Sequence, residues 1–272
     1  MSSDPILVAS DLTPRSDRAL ERGLALGTAL KRDVCLVHVP ELEKEESGRE
    51  ELEKLVGKVV PPNATLSEFI FPEGIAPKAI AACAEQRHAA MIVMGVARYN
   101  SIGDYFLGTA VEYVIRNTHR PVLIVKERAF EHYSDIIVPT DFSDASRQAI
   151  EVGARLFPGS TLHIVHSLHL PWSAWVNDPR VEEELKQEAS VRMASLIKDL
   201  DIPDQVRSAM TSRVVAEPLY HCIMGEAEKY NAHLALLGSH GASGIRAATI
   251  GSVAAELVDS LPLDTVVVDP RG

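Results

Sequence analysis

Glycines near the end of the sequence form the pattern with the clearest chemical meaning. Gly238 and Gly241 follow a short apolar run, and nine residues further on Gly251 and Ser252 precede a stretch of helical character. The start of a helix presents unpaired N–H groups and the positive end of the helix dipole, which together suit a phosphate group. Ser252 can add a hydroxyl donor. This spacing favours a loop that binds phosphate.

An acidic side chain is expected at the same place. Asp141 follows the apolar run 136–139 and Thr140, and ligands of open α/β sheets lie beyond the carboxyl ends of the strands. The carboxylate of Asp141 would therefore face the glycine loop and could accept hydrogen bonds from a ribose or a base. A structural alternative stays open for each feature: the glycines could only form a turn, and Asp141 and Ser252 could only cap helices.

The first half of the sequence recurs in the second half. The run Ile6–Thr13 matches Ile136–Ser143, 130 positions later, and further features match 143 positions later. The matching pairs are Gly95 with Gly238, Gly108 with Gly251, Thr109 with Ser252, and Val122–Val125 with Thr265–Val268. These ordered matches indicate a duplication, with the extra residues of the second half near 171–180.

Each half is predicted to alternate strands and helices and to begin and end with a strand. Short apolar runs are typical of strands buried on both faces, and their alternation with helices implies parallel strands joined by right-handed crossovers. We predict an α/β protein of two tandem open parallel five-stranded sheets flanked by helices, of Rossmann-like type. The domains are expected at 1–127 and 134–272, with a polar linker at 127–134 between them. The first helix is expected to begin at Thr13 and Pro14.

The glycine loop, residues 238–252, resembles the ATP loop of universal stress proteins. The segment Pro139–Ser143 is similar to the end of that family's first strand, and Ile164–His166 is similar to its second. The similarity extends over both halves, so the chain resembles a tandem universal stress protein, whose fold is adenine nucleotide alpha hydrolase-like. The resemblance also implies that the last strands, Val122–Val125 and Val266–Val268, pair within one chain as a pseudo-dimer, which would cover their open edges.

The same resemblance implies an ATP site in the second half, with Mg²⁺ accompanying the nucleotide. Asp141 and Ser167 would flank adenine and ribose, and residues of the loop would surround the phosphates. The implied site residues are Pro139, Thr140, Asp141, Ser167, Gly238, His240, Gly241, Gly251, Ser252 and Val253. No catalytic residue follows from the motif. His240 could touch a phosphate but is not favoured as a general acid, so hydrolysis would be slow at most.

The first half departs from this motif at one position. Arg98 stands where the pattern has its second glycine, although Gly95, Gly108 and Thr109 are kept. A side chain at that position disfavours a positive φ and could fill the space of the phosphates. We therefore predict a degenerate site in the first half, weak or empty. The open alternative is that Arg98 pairs with a phosphate.

Histidines suggest a metal site only at first sight. His163 and His166 lie three positions apart on a predicted strand, so their side chains would point to opposite faces and would not converge. We therefore predict no metal site of the protein itself. Cys35, Cys83 and Cys222 are scattered among apolar neighbours and are expected to be small buried core residues.

Composition restricts the partners. A net charge of −11 argues against nucleic acid, and no apolar run is long enough to span a bilayer. Because the N-terminus has no secretory pattern, we expect a soluble cytoplasmic protein. The resemblance implies an ATP-binding role in the stress response. A homodimer of whole chains is also compatible with the sequence. The alternative is a nucleotide-independent interaction or scaffold protein of the same fold. Trp172 and Trp175, in the inserted region, are expected to form a packed flap or an interface.

Overall fold

The fold is α/β, as predicted, and helices flank a central sheet in a computed structural model of the chain. The structure describes residues 4–14, 16–40, 49–61, 64, 66–96, 98–99, 105–106, 108–128, 132–168, 179–240 and 250–270. Trp172 and Trp175 lie outside these described residues. Within them, no helix is both long and apolar enough to cross a membrane.

Strands and helices alternate through both halves of the chain. The strands are β1 (Ile6–Ala9), β2 (Val34–Val37), β3 (Glu68–Ile70), β4 (Met91–Gly95), β5 (Arg98–Tyr99), β6 (Tyr105–Phe106), β7 (Val122–Val125), β8 (Asp135–Pro139), β9 (Thr161–Ser167), β10 (Thr211–Val215), β11 (Leu234–Gly238) and β12 (Asp264–Val268). The described helices are α1 (Asp17–Leu30), α2 (Arg49–Val59), α3 (Ala76–Gln86), α4 (Thr109–Asn117), α5 (Asp144–Leu156), α6 (Pro179–Lys198), α7 (Asp204–Ala209), α8 (Leu219–Tyr230) and α9 (Ser252–Ser260).

Ten strands form one continuous sheet in the order β10-β9-β8-β11-β12-β7-β4-β1-β2-β3. All neighbours within each half are parallel, whereas β12 and β7 are antiparallel, with Val266 opposite Leu123. The two predicted five-stranded sheets are therefore joined through their last strands within one chain. We call the residues up to 128 the first half and those from 132 onward the second half. Domain limits at 1–127 and 134–272 stay a prediction.

The inner strands of the sheet are buried on both faces because helices cover each face. Two separate apolar clusters result, one containing Val8 and Leu236, the other containing Leu7 and Leu237. The covering helices lie close to the sheet at equivalent glycines. A Cβ on Gly153 would lie 2.9 Å from Leu236 Cδ2, and a Cβ on Gly23 would meet the side chain of Val8. Glycines 130 positions apart thus both lie close to the sheet, although Gly23 faces β1 and Gly153 faces β11.

All three cysteines are buried in this core, as predicted. Burial raises the pKa of Cys35 to about 11 and that of Cys222 to about 12, and it also raises the pKa of Cys83. A thiol with a raised pKa is a poor nucleophile at neutral pH because little thiolate forms. These cysteines therefore act as small core residues.

The first helix begins later than predicted. Its N-cap is Ser16 and its first residue is Asp17, so a start at Thr13 and Pro14 is wrong. The cause is local competition: Asp11 Oδ1 accepts hydrogen bonds from the Thr13 backbone N–H at 3.0 Å and from the Thr13 hydroxyl at 2.8 Å. These bonds hold Thr13 in a turn. The short antiparallel pair of β5 and β6 was also not predicted.

Candidate functional site

A cavity of about 400 Å³ lies at the carboxyl ends of β8, β9 and β11 in the second half. Its volume is in the range of small-molecule sites. The lining residues are Pro139, Thr140, Asp141, Ser146, His166, Ser167, Pro218, Leu219, Leu237, Gly238, His240, Gly251, Ser252, Val253, Ala254 and Leu257. Polar groups and an apolar wall thus meet in one concave place, where open α/β sheets bind ligands.

The residues proposed from the sequence come together in this cavity. Those that line it are Pro139, Thr140, Asp141, Ser167, Gly238, His240, Gly251, Ser252 and Val253. Gly241 lies outside the described residues. Positions about 110 residues apart in sequence therefore line one cavity, since parallel strands end at the same edge of the sheet. What each residue does toward a ligand stays a prediction.

The turn from β8 to α5 is held by side-chain hydrogen bonds. Thr140 Oγ1 lies 2.8 Å from Ser146 Oγ and accepts the N–H of Phe142 at 3.0 Å, which supports the positive φ of 64° at Phe142. The N-cap of α5 is Ser143, whose hydroxyl accepts the N–H of Ser146 at 3.2 Å. The alternative that Asp141 caps this helix is therefore wrong. Asp141 is exposed, and its Oδ1 accepts the N–H of Ser143 at 3.0 Å.

The first turn of α9 also borders the cavity. Gly251 is its N-cap and provides no side-chain cap, and the first turn contains no acidic residue. Gly251 N–H donates to Ser239 O at 2.7 Å, and Ala255 N–H returns to Gly251 O at 2.9 Å. Helical N–H groups ahead of Ala255 have no intrahelical acceptor. Ser252, the first helical residue rather than the cap, is exposed beside them, so this end of α9 offers donors and a positive dipole end.

Gly238 has a packing reason for its residue type in addition to its place on the cavity wall. A Cβ there would lie 2.7 Å from the carbonyl carbon of Ala145 and 2.8 Å from its oxygen. Backbone atoms in the first turn of α5 cannot shift as a flexible side chain can. The glycine thus lets β11 and α5 approach each other closely.

His166 is a cavity residue that the sequence-based site set omitted. Its Nδ1 lies 2.8 Å from Thr140 O, and because a carbonyl only accepts, Nδ1 carries a proton. Phe142 packs against the imidazole ring at 4.3 Å between centroids, and the Arg192 guanidinium lies 4.5 Å from the Phe142 ring. The signal was available, since His38 occupies the equivalent strand end of the first half.

The apolar wall could not have been recognised from the sequence. Pro218, Leu219, Leu237, Ala254 and Leu257 resemble ordinary core positions of helices and strands. Only the three-dimensional arrangement shows which apolar residues border a cavity and which lie behind it.

His163 has different partners from His166. Its Nε2 lies 2.7 Å from Asp135 Oδ1, its Nδ1 lies 2.7 Å from Thr211 Oγ1, and its ring stacks on Tyr230. Across the described part of the chain, no three or more His, Cys, Asp or Glu residues are arranged to hold a metal ion. His169, the third histidine of this stretch of the sequence, lies outside that part.

The first half repeats the turn but not the helix start. Ser10 Oγ lies 2.7 Å from Ser16 Oγ, and His38 Nδ1 lies 3.0 Å from Ser10 O, as at the equivalent positions of the second half. The helix α4 also begins after a glycine, yet its first turn contains Glu112, which forms an ion pair with Arg116 at 2.5 Å. The side chain of Arg98 is not among those described.

Comparison with known proteins gives one consistent result. The model of the "Universal stress protein family" matches residues 43–126 and 132–269. A universal stress protein of Methanocaldococcus jannaschii is 37% identical over 89 residues, which are 33% of this chain and 51% of that protein. The chain thus spans about half the length of this curated relative.

A solved structure aligned over the whole chain has the same fold. The crystal structure of a universal stress protein from Archaeoglobus fulgidus aligns over 100% of both chains, with a TM-score of 0.64 and 22% identity. A second A. fulgidus structure, of a universal stress protein in complex with dAMP, covers 46% of this chain and 100% of its own, with a TM-score of 0.37 and 23% identity.

Proposed function

Because the chain belongs to the universal stress protein family, we propose that it binds ATP in the cavity of its second half. The observation that carries the proposal is that Asp141 lines the same cavity as the first turn of α9, whose N-cap Gly251 supplies no side-chain cap. A phosphate chain has negative charge to offer to helix amides, and a nucleoside has hydroxyl and amine donors to offer to a carboxylate. The first turn of α9 therefore suits the phosphate end of a nucleotide, and Asp141 suits its nucleoside end.

In the proposed binding mode the base lies against the apolar wall. Leu219, Leu237 and Leu257 provide a surface for an aromatic ring, and Asp141 and Ser167 lie at its polar margin. The phosphates extend toward the amides of α9, where Ser252 adds a hydroxyl, and Mg²⁺ enters with the triphosphate. This mode uses an apolar surface for the base, acceptors for the nucleoside and donors for the phosphates.

We expect a binding protein rather than a fast enzyme. Rapid phosphoryl transfer needs metal ligands and a residue that positions the attacking group. His240 lines the cavity, but its Nδ1 lies 2.8 Å from Ser239 Oγ and is engaged within the loop. Bound ATP would then act on the shape or the partners of the protein in the stress response, with slow hydrolysis at most.

The direct test is a pair of matched substitutions at the two helix starts. Gly251→Asp places a carboxylate where it can accept the first N–H groups of α9, which keeps the helix capped but repels phosphate. Calorimetric titration with ATP should show one site per chain in the wild type and loss of that site in Gly251→Asp. Gly108→Asp, the same change at the start of α4, should leave ATP binding unchanged.

Two results would count against the proposal. If the wild type gives no heat with ATP and releases no nucleotide on denaturation, the chain would be a nucleotide-independent interaction protein. If Gly108→Asp removes binding and Gly251→Asp does not, the nucleotide belongs to the first half.

A further inference from the structure

A buried lysine of the first half caps a helix of the second half. Lys126 follows β7 and is 1% exposed. Its Nζ donates to Leu261 O at 2.5 Å and to Val258 O, which lie at the C-terminal end of α9. The helix that starts in the proposed nucleotide site therefore ends on a cation from the other half.

α9 has no cation of its own at its C-terminal end. The last carbonyl groups of a helix lack intrahelical donors and form the negative end of its dipole. α9 has no basic residue of its own in its last turn, whereas α4 has Arg116. Asp269, an acid, stands 143 positions after Lys126 in the repeat. The first half thus supplies a lysine cap to a helix of the second half, and the second half has no lysine at the equivalent position.

A buried ionic network fixes the position of Lys126. Its N–H donates to Asp264 Oδ1 at 2.6 Å, and its carbonyl oxygen accepts from Arg18 at 2.5 Å. Asp264 is 0% exposed, accepts from the Tyr133 hydroxyl at 2.5 Å, and forms an ion pair with Arg22 at 3.3 Å. Burial raises the pKa of Asp264, and the donors around it oppose this rise. The network joins α1, the connecting segment and β12.

The capped helix reaches from this network to the cavity. α9 has nine residues, about 13 Å at 1.5 Å per residue. Its first turn borders the cavity at Ser252, and Leu257 and Val258 anchor its buried face. The helix is thus short enough to link the junction of the halves with the cavity.

We propose that Lys126 is a positioning residue for the nucleotide site, acting through α9, so that the first half sets the affinity of the second. The inference rests on the proposed function. Lys126 holds the carbonyl end of the helix and complements its dipole. The N–H end is thereby held in place for phosphate, although Lys126 itself touches no nucleotide.

The charge of Lys126 gives the inference a pH signature. Burial lowers its pKa to about 8, and Asp264 and Asp259 oppose that shift. The other charged or titratable groups around this junction are Arg18, Arg22, Glu127 and Tyr133. A neutral amine can still donate to both carbonyls, so only the charge is lost above pH 8. Affinity for ATP should then fall about two- to fivefold between pH 7 and 9.

The test measures ATP affinity of the full chain at pH 7 and pH 9. Lys126→Met, which keeps the volume but removes donors and charge, should weaken binding at pH 7 by about fivefold or more and abolish the pH dependence. Tyr133→Phe is the matched control, because it removes a bond to Asp264 but leaves α9 capped. It should lower the melting temperature and retain both the affinity and its pH dependence.

A third variant covers the case in which Lys126→Met does not fold. Lys126→Arg keeps a positive charge at both pH values, so its affinity should stay constant from pH 7 to 9 while the wild type weakens. Wild-type affinity that is equal at both pH values, or Lys126→Met that binds as tightly as the wild type, would overturn the inference and leave the proposed function intact. A wild type that binds no ATP would overturn both.

Discussion

The two halves of the chain share the turn after their first strand and differ at the start of their last helix. Ser10 and Thr140 make equivalent side-chain hydrogen bonds, and Leu12 and Phe142 both have a positive φ, 56° and 64°. The helix starts differ, since α4 carries Glu112 where α9 has Ala255. In both halves this turn connects the first strand to the helix that follows it. The two halves thus share the hydrogen bonds of this turn and differ in the charge at the start of their last helix.

A substitution at Gly238 should destabilise the second half more than a substitution at an unpacked glycine destabilises the first half. Gly238→Ala forces a Cβ against the backbone of Ala145, and such overpacking should lower the free energy of unfolding by about 2–3 kcal/mol. Denaturant melts would measure it. Gly57→Ala is the control: a Cβ there meets nothing within 4 Å, and alanine should stabilise α2 by about 0.5–1 kcal/mol. Equal changes in the free energy of unfolding in the two variants would show that β11 and α5 can move apart at little cost in stability.

The junction of the halves should respond to alkaline pH. Lys126 has a pKa of about 8 in the folded protein and 10.5 ordinarily, so between these values the unfolded chain binds more protons than the folded one. Stability should therefore rise with pH from 8 to 10.5, on the order of 2 kcal/mol, and be unaffected below pH 8. The measurement is the difference between wild type and Lys126→Met in denaturant melts across this range. A difference that stays constant would mean that Lys126 keeps its proton.

Exchanging the helix starts sharpens the comparison in electrostatic terms. Ala255→Glu puts the carboxylate of the first half into the first turn of α9, where it competes with phosphate for the dipole and repels it. ATP affinity should fall about tenfold, about 1.4 kcal/mol. Glu112→Ala, the reverse change, should leave ATP affinity unaltered. Calorimetry reports both, and a tenfold loss in Glu112→Ala instead would assign the nucleotide to α4.

Much of the fold could be predicted because its signals are local. Short apolar runs and their repetition predict the strands, and the common carboxyl edge of parallel strands brings Asp141 and Gly251 together. The start of α1 at Asp17 was missed because Asp11 and Thr13 bond to each other, which sequence spacing does not reveal. Lys126 was missed because a lysine usually lies at the surface, and its acceptors lie more than 130 positions away.

The candidate site divides in the same way. Glycines and polar residues at the ends of strands could be identified, whereas the apolar wall and the effect of Glu112 required the arrangement of helices in space. Residue 98 drew attention in the first half because arginine replaces a glycine. Glu112 drew none, since an acid in a first helical turn is common and stabilising.

β7 and β12 belong to one chain, so their pairing makes the association of the halves unimolecular. Dilution cannot separate two partners that share one backbone, so their contact does not depend on protein concentration as that of a homodimer does. A homodimer also shows every substitution twice, once on each side of its axis. Here each position exists once, so the first half can have Lys126 where the second half has Asp269.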